Sequence, residues 1–269
     1  MVRQERAEKL IFVGGAPRSG TTVTHALLCS APGVNRFHPE ISFFRGVVEA
    51  YTAGRAAWTE HTRAFFPDPS DFHKLMRATA DTWLGSVWEA VDRPRILCVK
   101  DPHLTPYFPA LAELLPEAQF VIVFRHPYDV VRSRQEVARK KGEDFGVAPA
   151  AAVAHEYRTY YTRILGYNFR GRLFALRYED LQVAPMREAL ARFVDVPGFD
   201  DAGMWRAAPS GQGVDDANPW SSPKYFRPVD LGRRLEPLAP ELRPVVKQVC
   251  EPIMTRMHYG EPDTAQANA

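Results

Sequence analysis

The chain has 269 residues, 45% hydrophobic and 25% charged, and its 34 basic and 32 acidic side chains leave a formal net charge of +2. That length and composition suit a globular α/β domain with helical insertions and exclude a disordered or fibrous chain. The near-neutral charge excludes a general nucleic-acid or membrane-surface binder, although a local basic pocket fits it.

The opening MVRQERAEK is charged and lacks the apolar core of a signal peptide. No apolar run reaches the roughly 18 residues of a membrane span. The expectation is therefore a cytoplasmic protein with no membrane partner. Cys29, Cys98 and Cys250 are widely spaced, and two of them sit in apolar runs. They read as small buried hydrophobes rather than a disulfide framework or a metal site. The sequence carries no internal repeat and no signal of oligomeric state. One domain is expected over 1–269, with a helical insertion at about 44–92 and a flexible loop at about 198–230.

Leu10 to Val13 is apolar, too short for a helix, and reads as a buried parallel strand. Gly14 and Gly15 end it. Gly20, Thr21 and Thr22 lead into Val23, Ala26, Leu27 and Leu28 at helical spacing. Strand, tight loop and helix aim backbone N–H groups at one spot, at the positive end of the helix dipole, and that geometry binds phosphate. The spacing approaches G-x-x-x-x-G-K-[ST], but Thr21 stands where the phosphate-reaching lysine belongs. The cation is displaced to Arg18. With Ser19, Thr21 and Thr22 the loop suits one phosphate and is poorly equipped for Mg-ATP hydrolysis.

The irregular stretch VNRFHPEISFF follows. Glu40 lies there between apolar neighbours, where desolvation raises a carboxyl pKa. It reads either as a base or as the opening residue of a helix after Pro39, and His38 is a rival base. Phe44, Val47, Val48 and Tyr51, then Leu75, Thr79, Trp83 and Val87, predict two or three helices around FFPDPSD, with their aromatic residues in the core.

Arg95 to Val99 predicts a second strand, ending in Lys100-Asp101-Pro102, where an open α/β sheet places its chemistry. His103 lies nearby. Thr105 to Leu115 reads as a helix and Phe120 to Phe124 as the third strand. Arg125-His126-Pro127-Tyr128-Asp129 follows at once, with a proline suited to a helix start. Ser133 falls eight residues after Arg125, about two helical turns on. A forked guanidinium there suits a phosphate monoester, and Asp129 reads as a cap or brace. ARKKGEDFGV, 138–147, reads as a solvated helix end and loop. A helix at Ala150 to Leu165, a strand at Leu173 to Tyr178 and a helix opening at Glu179-Asp180-Leu181 follow. Residues 198–230 are rich in Gly, Pro, Asp and Ser, and a loop that long is usually functional or disordered. Leu231 to Met257 predicts the closing helices.

These motifs resemble those of sulfotransferases that use PAPS (3′-phosphoadenosine 5′-phosphosulfate). GAPRSGTT after an apolar strand is similar to the family's 5′-phosphosulfate loop, and R-x-P-x-D-x-x-x-S, with Arg125 and Ser133, to its 3′-phosphate motif. Lys100-Asp101-Pro102 resembles the Lys-Asp-Pro of tyrosylprotein sulfotransferases, whose lysine contacts the transferring sulfuryl group. Glu40 matches the segment that holds their general base. The RYEDL around Arg177 and Glu179 also resembles the family, where it is structural. Ser221 and Arg227-Pro228-Val229 keep the spacing of a late loop over the nucleotide, with Lys224 as an alternative.

The resemblance implies a three-layer α/β fold, its mostly parallel central sheet flanked by helices in the manner of P-loop NTPases. It implies PAPS as donor, adenosine 3′,5′-bisphosphate as product, and no metal. Catalytic roles fall to Glu40, Lys100 and Arg18, and donor contacts to Pro17, Arg18, Ser19, Gly20, Thr21, Thr22, Arg125, Ser133, Ser221 and Arg227. His38 and His103 remain alternative bases. The acceptor expected first is a small-molecule or natural-product hydroxyl in a bacterial enzyme, and second a phenol or peptide tyrosine. Two other readings compete. A P-loop kinase or nucleotide hydrolase needs a lysine after Gly20 and an acidic magnesium ligand such as Asp101. A non-catalytic nucleotide-binding module needs decay that Glu40, Lys100, Arg125 and Ser133 do not show.

Overall fold

Strand pleating divides the core into two faces. The computed structural model describes residues 6–204 and 237–260. β1 (Lys9–Gly14), β2 (Ile96–Lys100), β3 (Gln119–Phe124) and β4 (Leu173–Arg177) form a parallel sheet in the order β2-β1-β3-β4. In the register, Phe12 lies opposite Val99 on one side and Phe120 on the other. Leu10, Phe12, Leu97, Val99, Phe120, Ile122 and Phe124 point to one face. Ile11, Val13, Ile96, Cys98, Val121, Val123 and Leu176 point to the other. Both faces are covered, so the strands read as unbroken apolar runs.

The first face packs on α2 (Arg45–Ala56), α3 (Pro69–Ala90), α4 (Phe108–Leu114), α5 (Pro127–Lys141), α6 (Val147–Leu165) and α8 (Arg243–Arg256). Phe12 stacks on Phe120 and Phe44, with centroids 5.9 and 6.0 Å away. The second face packs on α1 (Thr21–Leu28) and α7 (Ala184–Val194). The result is three layers: helices, sheet, helices.

Local chemistry sets the element ends. Asp68 caps α3 by accepting from Ser70 N, with Pro69 in the first turn. Gly142, at φ 71°, ends α5 after three basic residues. Three boundaries differ from the sequence reading. The segment 105–115 is a 3₁₀ turn, Pro102–Tyr107, followed by α4, because Pro106 and Pro109 withhold amide donors. Glu179 lies in a 3₁₀ turn, Tyr178–Asp180, and α7 begins only at Ala184. The cap of α5 is the His126 side chain, which accepts from Tyr128 N, and Asp129 sits in the first turn. In α3 the buried stripe is Phe72, Met76, Ala80, Leu84 and Trp88. Leu75 and Trp83 occupy the adjacent stripe and are exposed, because one residue turns the helix by about 100°.

Candidate active site

All four strands deliver functional segments to one edge, because a parallel sheet aligns its carboxyl ends. The loop after β1 is held by side chains from other elements. Gly15, at φ 146°, donates its N–H to Thr105 Oγ1 at 2.8 Å. A Cβ there would collide with Val123 O and Ser19 Oγ. Ala16 N donates to the Tyr161 hydroxyl at 3.0 Å, and that hydroxyl donates to Val123 O at 2.6 Å. Ser19 is fully buried and turns its hydroxyl back to Ala16 O at 2.6 Å. That bond closes the turn. Arg18 at φ 76° and Gly20 at φ 102° complete the turn. No side chain caps α1. The N–H groups of its first residues, Thr21 and Thr22, lack intrahelical acceptors, and an anion suits that end.

The segment after β3 meets this loop. Arg18 Nε donates to Ser133 Oγ at 3.0 Å, and Arg125 Nη1 donates to Arg18 O at 3.3 Å. The Arg125 guanidinium lies 4.5 Å from the Tyr178 ring centroid, a cation–π contact made after β4. Its Nε is buried with no hydrogen-bond acceptor among the described residues, and Asp129 is 3.8 Å away. An anion suits a desolvated, incompletely paired guanidinium. Glu179 holds the turn from behind, accepting from His126 N at 3.0 Å and from the Tyr259 hydroxyl at 2.9 Å.

Glu40 reaches the site because residues 34–41 run along the outer edge of β2. Val34 bridges to Ile96, and Ile41 N donates to Lys100 O at 2.9 Å. Lys100 Nζ then donates to Glu40 Oε1 at 2.8 Å. The lysine side chain is 3% exposed and the glutamate 43%. Burial pulls Lys100 below its ordinary pKa, and the Glu40 carboxylate is the largest influence opposing that shift.

Two of the three rival groups, His103 and Asp101, are hydrogen-bonded elsewhere. His103 shares a 2.7 Å hydrogen bond with the Tyr160 hydroxyl. Burial lowers the His38 pKa, and its nearest charged influences include His25, Asp92 and Arg36. Asp101 is buried, accepting from His103 N through Oδ1 and from Arg45 through Oδ2 at 2.9 Å. Both carboxylate oxygens thus take part in holding Arg45 and the turn at His103.

Ser221, Lys224 and Arg227 lie outside the described residues. Sequence reasoning missed Thr105, Tyr161 and Tyr178, and no local motif marks the first two as loop supports. It also left the cysteines unconnected, whereas β2 lies beside α1 and brings Cys98 to His25 and Cys29. The i, i+4 spacing of His25 and Cys29 was the available signal. No helix among the described residues is long and apolar enough to cross a membrane.

A family model described as "Sulfotransferase family" matches residues 11–201. Protein-tyrosine sulfotransferase 1 of Danio rerio is 27% identical over 207 residues, 71% of this chain and 54% of that protein. Protein-tyrosine sulfotransferase 2 of Gallus gallus is 28% identical over 128 residues, 46% of this chain and 33% of that protein. The chain thus spans about half or less of the curated relatives it matches. Among solved structures, the sulfotransferase domain from the curacin biosynthetic pathway superposes with TM-score 0.56 at 19% identity, covering 96% of this chain and 100% of that one. The sulfotransferase domain of the Synechococcus PCC 7002 olefin synthase also gives 0.56 at 19% identity, covering 97% and 99%. At such identities the likeness is one of fold.

Proposed function

We propose a function from one premise: the chain belongs to the sulfotransferase family. In this reading PAPS is the donor and a hydroxyl is the acceptor. The observation that carries the reading is the Arg18–Ser133 hydrogen bond, which joins the loop after β1 to the segment after β3. One basic cluster then holds two phosphates of the same nucleotide. The N–H groups of Thr21 and Thr22, with Arg18, take the 5′-phosphosulfate. Arg125 and Ser133 take the 3′-phosphate. Pro17, Ser19 and Gly20 give the loop its shape.

The acceptor oxygen attacks sulfur, and the sulfur–oxygen bond to the 5′-phosphate breaks in line. The acceptor proton passes to Glu40, and adenosine 3′,5′-bisphosphate departs. Lys100 bears on the sulfonate and the leaving oxygen, where charge grows, and its burial strengthens that interaction. The Lys100–Glu40 contact holds the carboxylate beside the site of transfer, where it is placed to accept the proton. Binding energy at Arg125, away from the reacting bond, orients the donor.

A phenolic hydroxyl, including a tyrosine side chain, is the favoured acceptor. Phe43, three residues beyond Glu40, is 55% exposed and pairs with exposed Trp83, with centroids 6.0 Å apart. Exposed rings of this kind accept another ring by stacking. The names of the curated relatives point the same way. The test is acceptor-dependent release of adenosine 3′,5′-bisphosphate from PAPS with EDTA present. A panel of simple phenols, a tyrosine peptide and aliphatic alcohols serves as acceptors. Release with phenols is expected. Magnesium-dependent phosphate release from ATP, without bisphosphate release from PAPS, would overturn the reading.

A further inference from the structure

On the α1 side of the sheet, one strand repeat before Lys100 on β2, three side chains with metal-ligand chemistry converge. His25 and Cys29 stand one turn apart on α1 and its C-cap, so they face the same way. Cys98 lies in the middle of β2 and points to that layer. One donor atom of each falls within 4.8 Å of the other two. His25 Nε2 lies 3.3 Å from Cys29 Sγ. Tetrahedral zinc geometry separates nitrogen and sulfur ligands by about 3.6 Å, so small rotamer adjustments suffice.

We propose that His25, Cys29 and Cys98 form a Cys2His site for a soft divalent cation of the Zn(II) class, pinning α1 to β2. The imidazole is incompletely satisfied. Its Nδ1 is buried with no hydrogen-bond partner among the described residues, while Nε2 lies 3.0 Å from Cys98 O. With Nε2–H donating to Cys98 O, the lone pair sits on Nδ1; a cation held by Nε2 beside Cys29 Sγ takes the other tautomer, in which the ring proton moves to Nδ1 and Cys98 O keeps its bond from Asn35. Two sulfurs beside it select zinc-class ions over magnesium or calcium.

A supporting shell is in place. Asn35 accepts from Cys98 N at 2.6 Å and donates to Cys98 O at 3.0 Å. The same amide lies 3.7 Å from Cys29 Sγ, where its N–H would support a metal-bound sulfur. The Phe37 ring, 5.3 Å from the imidazole centroid, covers it. Cys29 is partly exposed, so the fourth ligand is water or an exchangeable group reaching that side. Binding releases the thiol protons. The cation would tie the helix that opens at the phosphate loop to the strand that ends in Lys100.

The test uses the whole reduced chain, kept in a non-thiol reductant and stripped of metal with a chelator. Cobalt(II) is titrated and the thiolate-to-cobalt charge-transfer band is followed, then zinc(II) is added in competition. One cobalt per chain, displaced by zinc, and a Tm raised by zinc are expected. Cys98→Ser and His25→Ala should each weaken binding by roughly a hundredfold or more, and Asn35→Ala by roughly tenfold. Absence of the band from the wild-type protein at saturating cobalt overturns the proposal, whether or not any variant folds. So does a band that survives Cys29→Ser and Cys98→Ser, or recovery of these thiols as a disulfide with no cobalt taken up.

Discussion

Glu40→Gln separates base chemistry from donor binding. Glutamine is nearly isosteric and leaves an amide oxygen to accept from Lys100 Nζ, which now lies 2.8 Å from the carboxylate. What disappears is the proton acceptor. General-base catalysis contributes about a hundredfold to ten-thousandfold, or about 3–5 kcal/mol of barrier. The cost in stability is smaller. The glutamate side chain is 43% exposed and partly screened by solvent, and the glutamine oxygen still accepts from the buried lysine, so the loss is that of the counter-charge and not of the hydrogen bond. The assay is kcat at saturating donor and acceptor, with adenosine 3′,5′-bisphosphate affinity measured in parallel by calorimetry. The expected result is kcat lowered at least a hundredfold with affinity nearly unchanged. A variant within a few-fold of wild-type turnover would refute the reasoning and move the base to His38 or His103.

The same substitution carries a pH signature. Burial holds the folded-state pKa of Lys100 below its ordinary value, and removing the carboxylate lowers it further. The unfolded chain then binds the lysine proton more tightly, so stability rises with pH from the folded value up to the ordinary one. The Tm deficit of Glu40→Gln should therefore be largest below the variant's folded-state Lys100 pKa and shrink as pH rises through the wild-type folded value. A deficit independent of pH would show that Lys100 is not what feels the change.

Three further substitutions probe the remaining parts. Arg125→Ala removes a charged phosphate partner and should weaken bisphosphate binding by about 1.5–3 kcal/mol, with a smaller effect on kcat at saturation; unchanged calorimetric affinity would remove its role. Tyr161→Phe leaves Ala16 N and Val123 O without their buried partner, so unfolding free energy should fall by about 1–3 kcal/mol in denaturant titration. Phe43→Ala should raise KM for a phenol while leaving donor KM unchanged, and an unaltered phenol KM would count against the aromatic platform.

The layers were legible because both sheet faces are buried, so each strand stands out as an apolar run between loops. The phosphate loop was legible for the same reason a turn is: its glycines occupy backbone angles that few other residues take. The supports of that loop were not legible. Thr105 and Tyr161 come from elements far along the chain, and only the packed tertiary structure aims their hydroxyls at Gly15 and Ala16. Ser19 reads as a phosphate ligand in a motif, and its bond to Ala16 O within the turn has no mark in the sequence. In α3 two adjacent apolar stripes competed, and packing against Tyr51 and Phe66 selected the one holding Phe72. The Lys100–Glu40 contact depended on residues 34–41 following β2, a path that Pro39 made unreadable as regular structure.

The central claim is that one nucleotide with a 5′-phosphosulfate and a separate 3′-phosphate fits the cluster of Arg18, Arg125 and Ser133. The most direct measurement is thermal-shift binding of adenosine 3′,5′-bisphosphate, set against ATP with magnesium. A large Tm increase with the bisphosphate alone is predicted, growing with its concentration as mass action requires. Stabilisation by Mg-ATP alone would contradict the account.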